Sequence, residues 1–244
     1  MNATQPAVQP AVVLVHGAFA ESSSWNGVIE RLQRQGCTVV AAANPLRGLT
    51  GDADYVASVV EQIDGPVLLV GHSYGGAVIS NAAARAGNVV GLVFVAAFAP
   101  DEGETLGEVT PTSTDSILMP ALVQRRYPGG QELAVDPARF MEVFAADLPA
   151  EQAAVLAATQ RPVGADAFTD VSGPPAWKTL PSWAVVASGD KAAGADLVRS
   201  MAKRAGANTV EIDGSHVIMI SQPDAVAQVI LEAVAATSYA PVVS

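Results

Sequence analysis

The chain has 244 residues, of which 50% are hydrophobic, and its formal net charge is −11. A chain of this length can bury one substantial hydrophobic core, which favours a single α/β domain. Its 13 basic residues form no run, which argues against nucleic acid or an anionic membrane surface and favours small neutral or weakly polar partners.

The N-terminal residues and the cysteine content bear on location. Residues 1–10 show neither the basic stretch nor the apolar stretch of a signal peptide. No apolar run approaches the roughly 20 residues that a membrane-spanning helix needs. Cys37 is the only cysteine, so an intrachain disulfide cannot form and we expect the side chain to be buried. These features predict a cytoplasmic protein without a membrane partner.

Strands and helices alternate through the first hundred residues. Short apolar runs predict strands at 11–15, 38–43, 67–70 and 91–96, and helical spacing predicts helices between them at 24–35, 51–63 and 77–86. This alternation indicates a parallel sheet with helices on both faces.

A tight loop follows the first predicted strand and reads His-Gly-Ala-Phe at 16–19. Because it leaves the carboxyl end of a central strand, we expect it to lie beside the end of the strand at 67–70. Gly17 has no side chain that could obstruct this place, and the backbone N–H of Ala18 is a candidate hydrogen-bond donor. The alternative interpretation is a purely structural turn.

The strand at 67–70 runs into Gly-His-Ser-Tyr-Gly at 71–75, which matches the pattern G-x-S-x-G. The glycines let the strand pack closely on the following helix, so that Ser73 occupies the sharp corner with its hydroxyl at the carboxyl end of the sheet. Backbone N–H groups at the helix start, including that of Tyr74, favour developing negative charge there. Although a chance match is the alternative, the apolar run before Ser73 and the small-residue helix after it favour a nucleophile.

The alternation stops after Pro100 and resumes with a predicted strand at 182–187. Residues 101–180 are rich in Pro and Gly, yet predicted helices occur at 137–146 and 150–159. We interpret 101–180 as a helical cap inserted into a core of residues 1–100 and 181–244, because a structureless loop of this length is improbable in a compact domain. Phe140, Phe168 and Trp177 could line a pocket or form the core of the cap.

An acid and a histidine follow the last two predicted strands. Asp190 comes just after the strand at 182–187, and His216 comes just after the strand predicted at 209–212. We favour His216 as general base, because His16 belongs to the early loop and the side chain of His72 should point away from the site. Asp190 is the favoured acid, with Asp101 as the alternative. Asp196 and Asp213 have the positions of a helix-face charge and a turn residue.

Taken together, these motifs resemble an α/β-hydrolase. More narrowly, the chain resembles the small branch that contains plant methylesterases, hydroxynitrile lyases and bacterial carboxylesterases, including pyrethroid hydrolases. The resemblance covers residues 11–236 and is loosest in the cap. It implies a catalytic triad of Ser73, His216 and Asp190, and an oxyanion hole formed by the N–H groups of Ala18 and Tyr74. The expected substrate-binding residues are Gly17, Phe19 and Val217.

This resemblance implies hydrolysis of carboxylic esters through an acyl-enzyme, with no metal or organic cofactor. The low aromatic content of the chain, 5%, favours a pocket walled by smaller apolar side chains and hence small, largely apolar substrates. Hydroxynitrile lyases carry a threonine after the first-strand histidine and a lysine after the catalytic histidine. This chain has Gly17 and Val217 there, so a cyanide leaving group would lack its stabilising charge and ester hydrolysis is favoured. A lyase or perhydrolase activity and a small-molecule-binding role stay open as alternatives. The apolar residues 225–234 fit either the core or the face of a homodimer.

Overall fold

The structure is a computed structural model that describes residues 8–239. Residues 1–7 and 240–244 lie outside the described residues. They include most of residues 1–10, which lack the pattern of a signal peptide, and both outer ends of the predicted core. Within residues 8–239, no helix is long and apolar enough to cross a membrane.

The first half of the core follows the predicted alternation with small shifts of the boundaries. Strand β3 continues two residues beyond its apolar run, and the helix after it begins directly at the serine corner instead of at residue 77. The elements are β1 (Ala11–Val15), α1 (Asn26–Arg34), β2 (Val39–Ala42), α2 (Leu49–Glu61), β3 (Val67–His72), α3 (Tyr74–Ala83) and β4 (Val89–Val95).

The inserted segment combines the predicted helices with strands that the sequence pattern does not predict. Its helices are α4 (Leu106–Val109), α5 (Pro137–Phe144), α6 (Ala150–Thr159) and α7 (Asp166–Thr169), and its strands are β5 (Leu122–Tyr127), β6 (Gly130–Val135) and β7 (Val163–Gly164). The three strands form a small antiparallel sheet in the order β5-β6-β7. Strand β5 and the first half of β6 are largely solvent-accessible, with polar residues at successive positions, and only the end of β6 is buried. The two sequences therefore lack the apolar alternation that identifies a strand.

The chain returns to the core with β8 (Ser182–Ala187), α8 (Ala195–Arg204), β9 (Asn208–Ile212), α9 (Ile218–Ser221) and α10 (Pro223–Thr237). Six parallel strands form the central sheet in the order β2-β1-β3-β4-β8-β9. Strands β1, β3 and β8 are buried along their whole length, which requires helices on both faces of the sheet. The predicted parallel α/β fold is therefore confirmed.

Helix α10 packs against α1 and against strands β3, β4 and β8. Its apolar side chains, including Val226, Ile230 and Val234, are buried in the main core. Of the two interpretations of residues 225–234, the core is therefore the one that the structure supports. The homodimer stays a prediction.

Candidate active site

Ser73 forms the junction between strand β3 and helix α3. Its backbone has φ 54° and ψ −125°. Residues other than glycine rarely adopt a conformation with such a positive φ. A Cβ atom at Gly71 would lie 2.5 Å from the carbonyl oxygen of Gly75, and one at Gly75 would lie 2.5 Å from that of Val15. Gly71 therefore lets strand β3 approach the start of helix α3, and Gly75 lets the start of this helix approach the end of strand β1.

The His216 and Asp190 side chains meet as the spacing of the last two strands predicts. Nδ1 of His216 lies 2.9 Å from Oδ2 of Asp190, and both side chains are completely buried. The other carboxylate oxygen accepts the N–H groups of Ala192 and Ala193 at 2.8 and 3.0 Å. With Nδ1 protonated beside the carboxylate, Nε2 is available as a base. It has no hydrogen-bond partner among residues 8–239.

Asp101, the alternative acid, lies elsewhere. Its carboxylate forms an ion pair with Lys178 and accepts the N–H of Glu102. The Lys178 side chain lowers the pKa of the Asp101 carboxyl. Asp101 is therefore part of a surface ion pair, and Asp190 is the acid that the structure places against His216.

The expectation for His72 is wrong in one respect. Its ring does not point away from the site but lies under the histidine loop, with Nε2 2.9 Å from the carbonyl oxygen of His216 and the two ring centroids 4.6 Å apart. Burial lowers the pKa of His72 well below its ordinary value, so the ring is neutral. The residue next to Ser73 thus supports the backbone that carries His216, which brings the serine corner and the histidine loop together.

The two predicted oxyanion donors lie around one small cavity at the serine. Ala18, Tyr74 and Ser73 line a cavity of about 10 Å³, which is the room that about one water molecule needs. Neither the Ala18 nor the Tyr74 amide donates to an acceptor within the described part of the chain. Both N–H groups are therefore free to bind an oxygen atom that a substrate places there.

The loop after strand β1 packs directly on the serine corner. A Cβ atom at Gly17 would lie 2.6 Å from the Cβ of Ser73 and 2.8 Å from the carbonyl oxygen of His72. Gly17 therefore permits the close approach, although it lines neither of the cavities described here. His16 is buried beneath this loop, and burial lowers its pKa to about 4, so it supports the loop as a neutral ring.

A second, larger cavity of about 330 Å³ lies under the inserted segment. Phe19 and Phe144 line both this cavity and the small one at Ser73. Val217, predicted to bind substrate, lines the larger cavity. Phe140 lines the larger cavity and Phe168 the smaller one, whereas Trp177 donates its indole N–H to the carbonyl oxygen of Pro100 and lines neither.

Phe144 is a residue of the site that no sequence pattern indicates. Its ring contacts the edge of Phe19 and lies 4.7 Å, centroid to centroid, from the ring of His216. The residue ends helix α5, whose apolar side chains are spaced on one face, but nothing local indicates that this face meets the histidine loop. Within the described chain, no group of three or more His, Cys, Asp or Glu side chains is arranged to hold a metal ion.

Comparison with known proteins places this geometry in context. Residues 12–229 match the model of the Alpha/beta hydrolase family. A carbendazim hydrolyzing esterase of Nocardioides sp. (strain SG-4G) is 31% identical over 132 residues, which cover 48% of this chain and 52% of that protein. The chain thus spans about half the length of this curated relative.

Solved structures of esterases share the fold at low sequence identity. Polyneuridine aldehyde esterase superposes with a TM-score of 0.79 at 20% identity, over 93% of this chain and 99% of its own. A methylesterase from Arabidopsis gives 0.77 at 18% identity over 93% and 99%, respectively. A pyrethroid hydrolase from Sphingobium faniae JZ-2 gives 0.73 at 22% identity over 93% and 98%. At these identities the likeness shows the fold alone.

Proposed function

The chain belongs to the alpha/beta hydrolase family, whose model matches residues 12–229, and we propose that it hydrolyses carboxylic esters through an acyl-enzyme formed on Ser73. One observation carries the proposal. The strained Ser73 corner lines a cavity together with Ala18 and Tyr74, whose amides have no acceptor within the described chain. The ring of His216 lies 4.6 Å from that of His72, the neighbour of Ser73; one of its nitrogens is fixed by a buried carboxylate and the other has no partner among the described residues. A nucleophile, a base and an anion site are the groups that acyl transfer needs.

In the proposed mechanism, Nε2 of His216 takes the proton of the Ser73 hydroxyl as its Oγ attacks the ester carbonyl. The Asp190 carboxylate, 2.9 Å from Nδ1, stabilises the imidazolium that forms. The N–H groups of Ala18 and Tyr74 bind the oxyanion, and His216 then protonates the leaving alcohol. A water molecule, deprotonated by the same histidine, attacks the acyl-enzyme and releases the acid.

The larger cavity supports small, largely apolar esters as the substrate class. Apolar side chains form one part of its wall, among them Phe140, Leu156 and Val217. Among the described residues that line it, none is Lys, Arg or His, and Glu21 is the one charged residue. Such a lining favours a neutral substrate over an anionic one, because a buried carboxylate would have no cation to pair with.

Cyanohydrin cleavage is disfavoured by the same geometry. A threonine at position 17 would carry its Cβ 2.6 Å from that of Ser73, so the loop would have to move. At position 217 the buried, apolar valine supplies no positive charge. A small-molecule partner, the absence of a nucleic-acid or membrane partner and a cytoplasmic location stay predictions.

The test compares the hydrolysis of p-nitrophenyl acetate, butyrate and octanoate by the wild type, Ser73→Ala and His216→Ala. Both variants should lose three or more orders of magnitude in kcat, as removal of triad members does. Ser58→Ala is the matched control, because that serine is exposed on helix α2 and should keep full activity. A folded wild type that neither hydrolyses these esters nor reacts with a fluorophosphonate would favour the binding-protein alternative instead.

A further inference from the structure

A buried tyrosine–carboxylate pair lies directly behind one of the two oxyanion donors. The phenol of Tyr74 donates to Oδ2 of Asp52 at 2.8 Å, and the two residues are 2% and 1% exposed. Tyr74 also lines the cavity at Ser73, where its backbone N–H is the proposed oxyanion donor. The hydroxyl of Tyr74 is therefore bound in the core, whereas its backbone belongs to the site.

The Asp52 carboxylate is itself held by several groups. It lies in the first turn of helix α2, where the helix dipole favours a negative charge. The backbone N–H of Arg47 donates to both carboxylate oxygens, at 3.1 and 3.2 Å. Helix α2 packs along α3, which starts at Tyr74. The carboxylate is thus a fixed acceptor.

The segment that contains Arg47 is also tied to the inserted segment. The carbonyl oxygen of Leu46 accepts the N–H of Gly164 at 2.8 Å, and the Arg47 guanidinium lies 3.0 Å from a carboxylate oxygen of Glu132. Arg47 also stacks over the ring of Tyr127. The anchor of the Asp52 carboxylate is therefore continuous with the sheet β5-β6-β7.

The direction of the Tyr74 N–H depends on how the backbone around Tyr74 is held. That bond lies in the peptide plane between Ser73 and Tyr74, which is set by the strained Ser73 torsions on one side and by the position of Tyr74 on the other. Strained torsions persist only where the surrounding structure holds them. No acceptor in the described chain pairs with this amide, so within that part of the chain only the backbone that carries the amide sets its direction.

We propose that Asp52 is a positioning residue for ester hydrolysis: by anchoring the phenol of Tyr74, it holds the Tyr74 backbone N–H in the direction that binds the oxyanion. This inference rests on the proposed function. It adds a carboxylate outside the triad that acts on the transition state without touching the substrate.

The test uses Tyr74→Phe, which keeps the ring and the backbone amide and removes only the hydroxyl, together with Asp52→Leu and Asp52→Asn. Two quantities are measured with p-nitrophenyl butyrate as substrate: kcat with KM, and the inhibition constant of an aryl trifluoromethyl ketone. The hemiketal that this ketone forms with Ser73 places a negatively charged oxygen in the oxyanion hole. Misaligned donors weaken binding of the transition state and of this adduct but not of the ground-state ester.

Tyr74→Phe and Asp52→Leu should lower kcat by about 10-fold or more and raise the inhibition constant by a similar factor, with KM within about twofold of the wild type. Asp52→Asn keeps an oxygen acceptor for the phenol and should retain most of the activity. Tyr55→Phe is the matched control, because Tyr55 lies on the same helix with 40% of its surface exposed. It should leave both quantities unchanged.

Folded Tyr74→Phe with wild-type kcat, or a loss of kcat without a change in the inhibition constant, would overturn the proposal. Where a single variant does not fold, the double variant Tyr74→Phe/Asp52→Leu replaces it, because it removes both buried polar groups. It should show the same loss of kcat and the same rise in the inhibition constant. If the wild type itself fails to turn over the ester and does not bind the ketone, the proposed function fails. If the wild type is active and the variants have the same kcat and the same inhibition constant, only the positioning role is refuted.

Discussion

The core and the inserted residues 101–180 contribute different things to the candidate site. The core supplies every polar group of the proposed mechanism, each from the end of a strand: the Ala18 amide after β1, Ser73 and Tyr74 after β3, Asp190 after β8 and His216 after β9. The inserted segment supplies part of the walls of the two cavities, including Phe140, Phe144 and Leu156, and the core completes them with side chains such as Phe19 and Val217. The chemistry therefore depends on the sheet, whereas the fit of the substrate depends on the core and the insertion together.

The two regions are nevertheless joined at the site. The carbonyl oxygen of Phe144 accepts the Ser215 hydroxyl at 3.0 Å and the N–H of Val217 at 3.2 Å, so the end of helix α5 holds the chain on both sides of His216. On the other side, the carbonyl oxygen of Arg161 accepts the N–H of Phe19 at 3.1 Å. The insertion thus contacts the histidine loop and the oxyanion loop at once. Away from these contacts, we expect substitutions in the insertion to act mainly on binding and those of the core on catalysis.

The largest contrast is expected between two aspartates that each follow a core strand. Asp190→Asn should lower kcat by about 10⁴-fold, because the imidazole loses the carboxylate that fixes its tautomer and stabilises its charge. Asp101→Asn should leave kcat within about twofold of the wild-type value. Asp101, at the start of the insertion, forms an ion pair with Lys178 and not with His216. Initial rates with p-nitrophenyl butyrate measure both, and comparable losses in the two variants would contradict the assignment.

A smaller loss is expected from Gly17→Ala in the oxyanion loop. The new Cβ would lie 2.6 Å from the Cβ of Ser73, so the loop must shift and carry the Ala18 amide with it. Loss of one oxyanion donor typically costs about 10²-fold or more in kcat, and we expect a reduction of about 10²-fold here. Gly51→Ala on helix α2 is the control, because a Cβ there meets nothing within 4 Å; kcat should be unchanged. Full activity of Gly17→Ala would contradict the close approach.

The difference between the two regions also explains what the sequence could predict. Strands β1 and β3 have apolar runs and G-x-S-x-G fixes the serine corner, so the core and the positions of Ser73, Asp190 and His216 follow from local patterns. Strand β5 and the first half of β6 have mostly polar, accessible residues, so a search for apolar runs misses them; the Pro128-Gly129 turn between the strands is the local signal that could have indicated the hairpin. The contact of Phe144 with His216 and that of Tyr74 with Asp52 join distant parts of the chain, so only the folded structure shows them.

All three histidines are buried residues of the core. We therefore expect the core to contribute to the loss of folding stability at acid pH. Burial lowers the pKa of His16 to about 4 from an ordinary value of 6.5. Between these pH values the unfolded chain binds more protons than the folded one, so the free energy of unfolding falls as the pH falls. From pH 7 to pH 5, His16 alone should account for a loss of about 2 kcal/mol.

Urea unfolding at pH 7 and pH 5 measures this loss, and His16→Asn should reduce it by about the same amount, about 2 kcal/mol. His72, whose pKa burial also lowers, acts in the same direction, whereas Asp52, whose pKa burial raises, acts in the opposite one. The variant therefore isolates the contribution of His16. An identical pH dependence in the wild type and His16→Asn would show that His16 does not stay neutral in the folded protein.

The smallest effect is expected within the insertion, at two adjacent residues of helix α6. Leu156 lines the larger cavity, whereas Val155 is 61% exposed to solvent. If the cavity holds the bulky part of the ester, Leu156→Ala removes contacts that the ground state and the transition state share. It should then raise KM for p-nitrophenyl octanoate about threefold with kcat unchanged, as loss of uniform binding does. Val155→Ala should change neither constant. An equal rise in KM for the acetate would mean that the acyl chain does not reach this wall, and a fall in kcat would mean that the insertion takes part in catalysis itself.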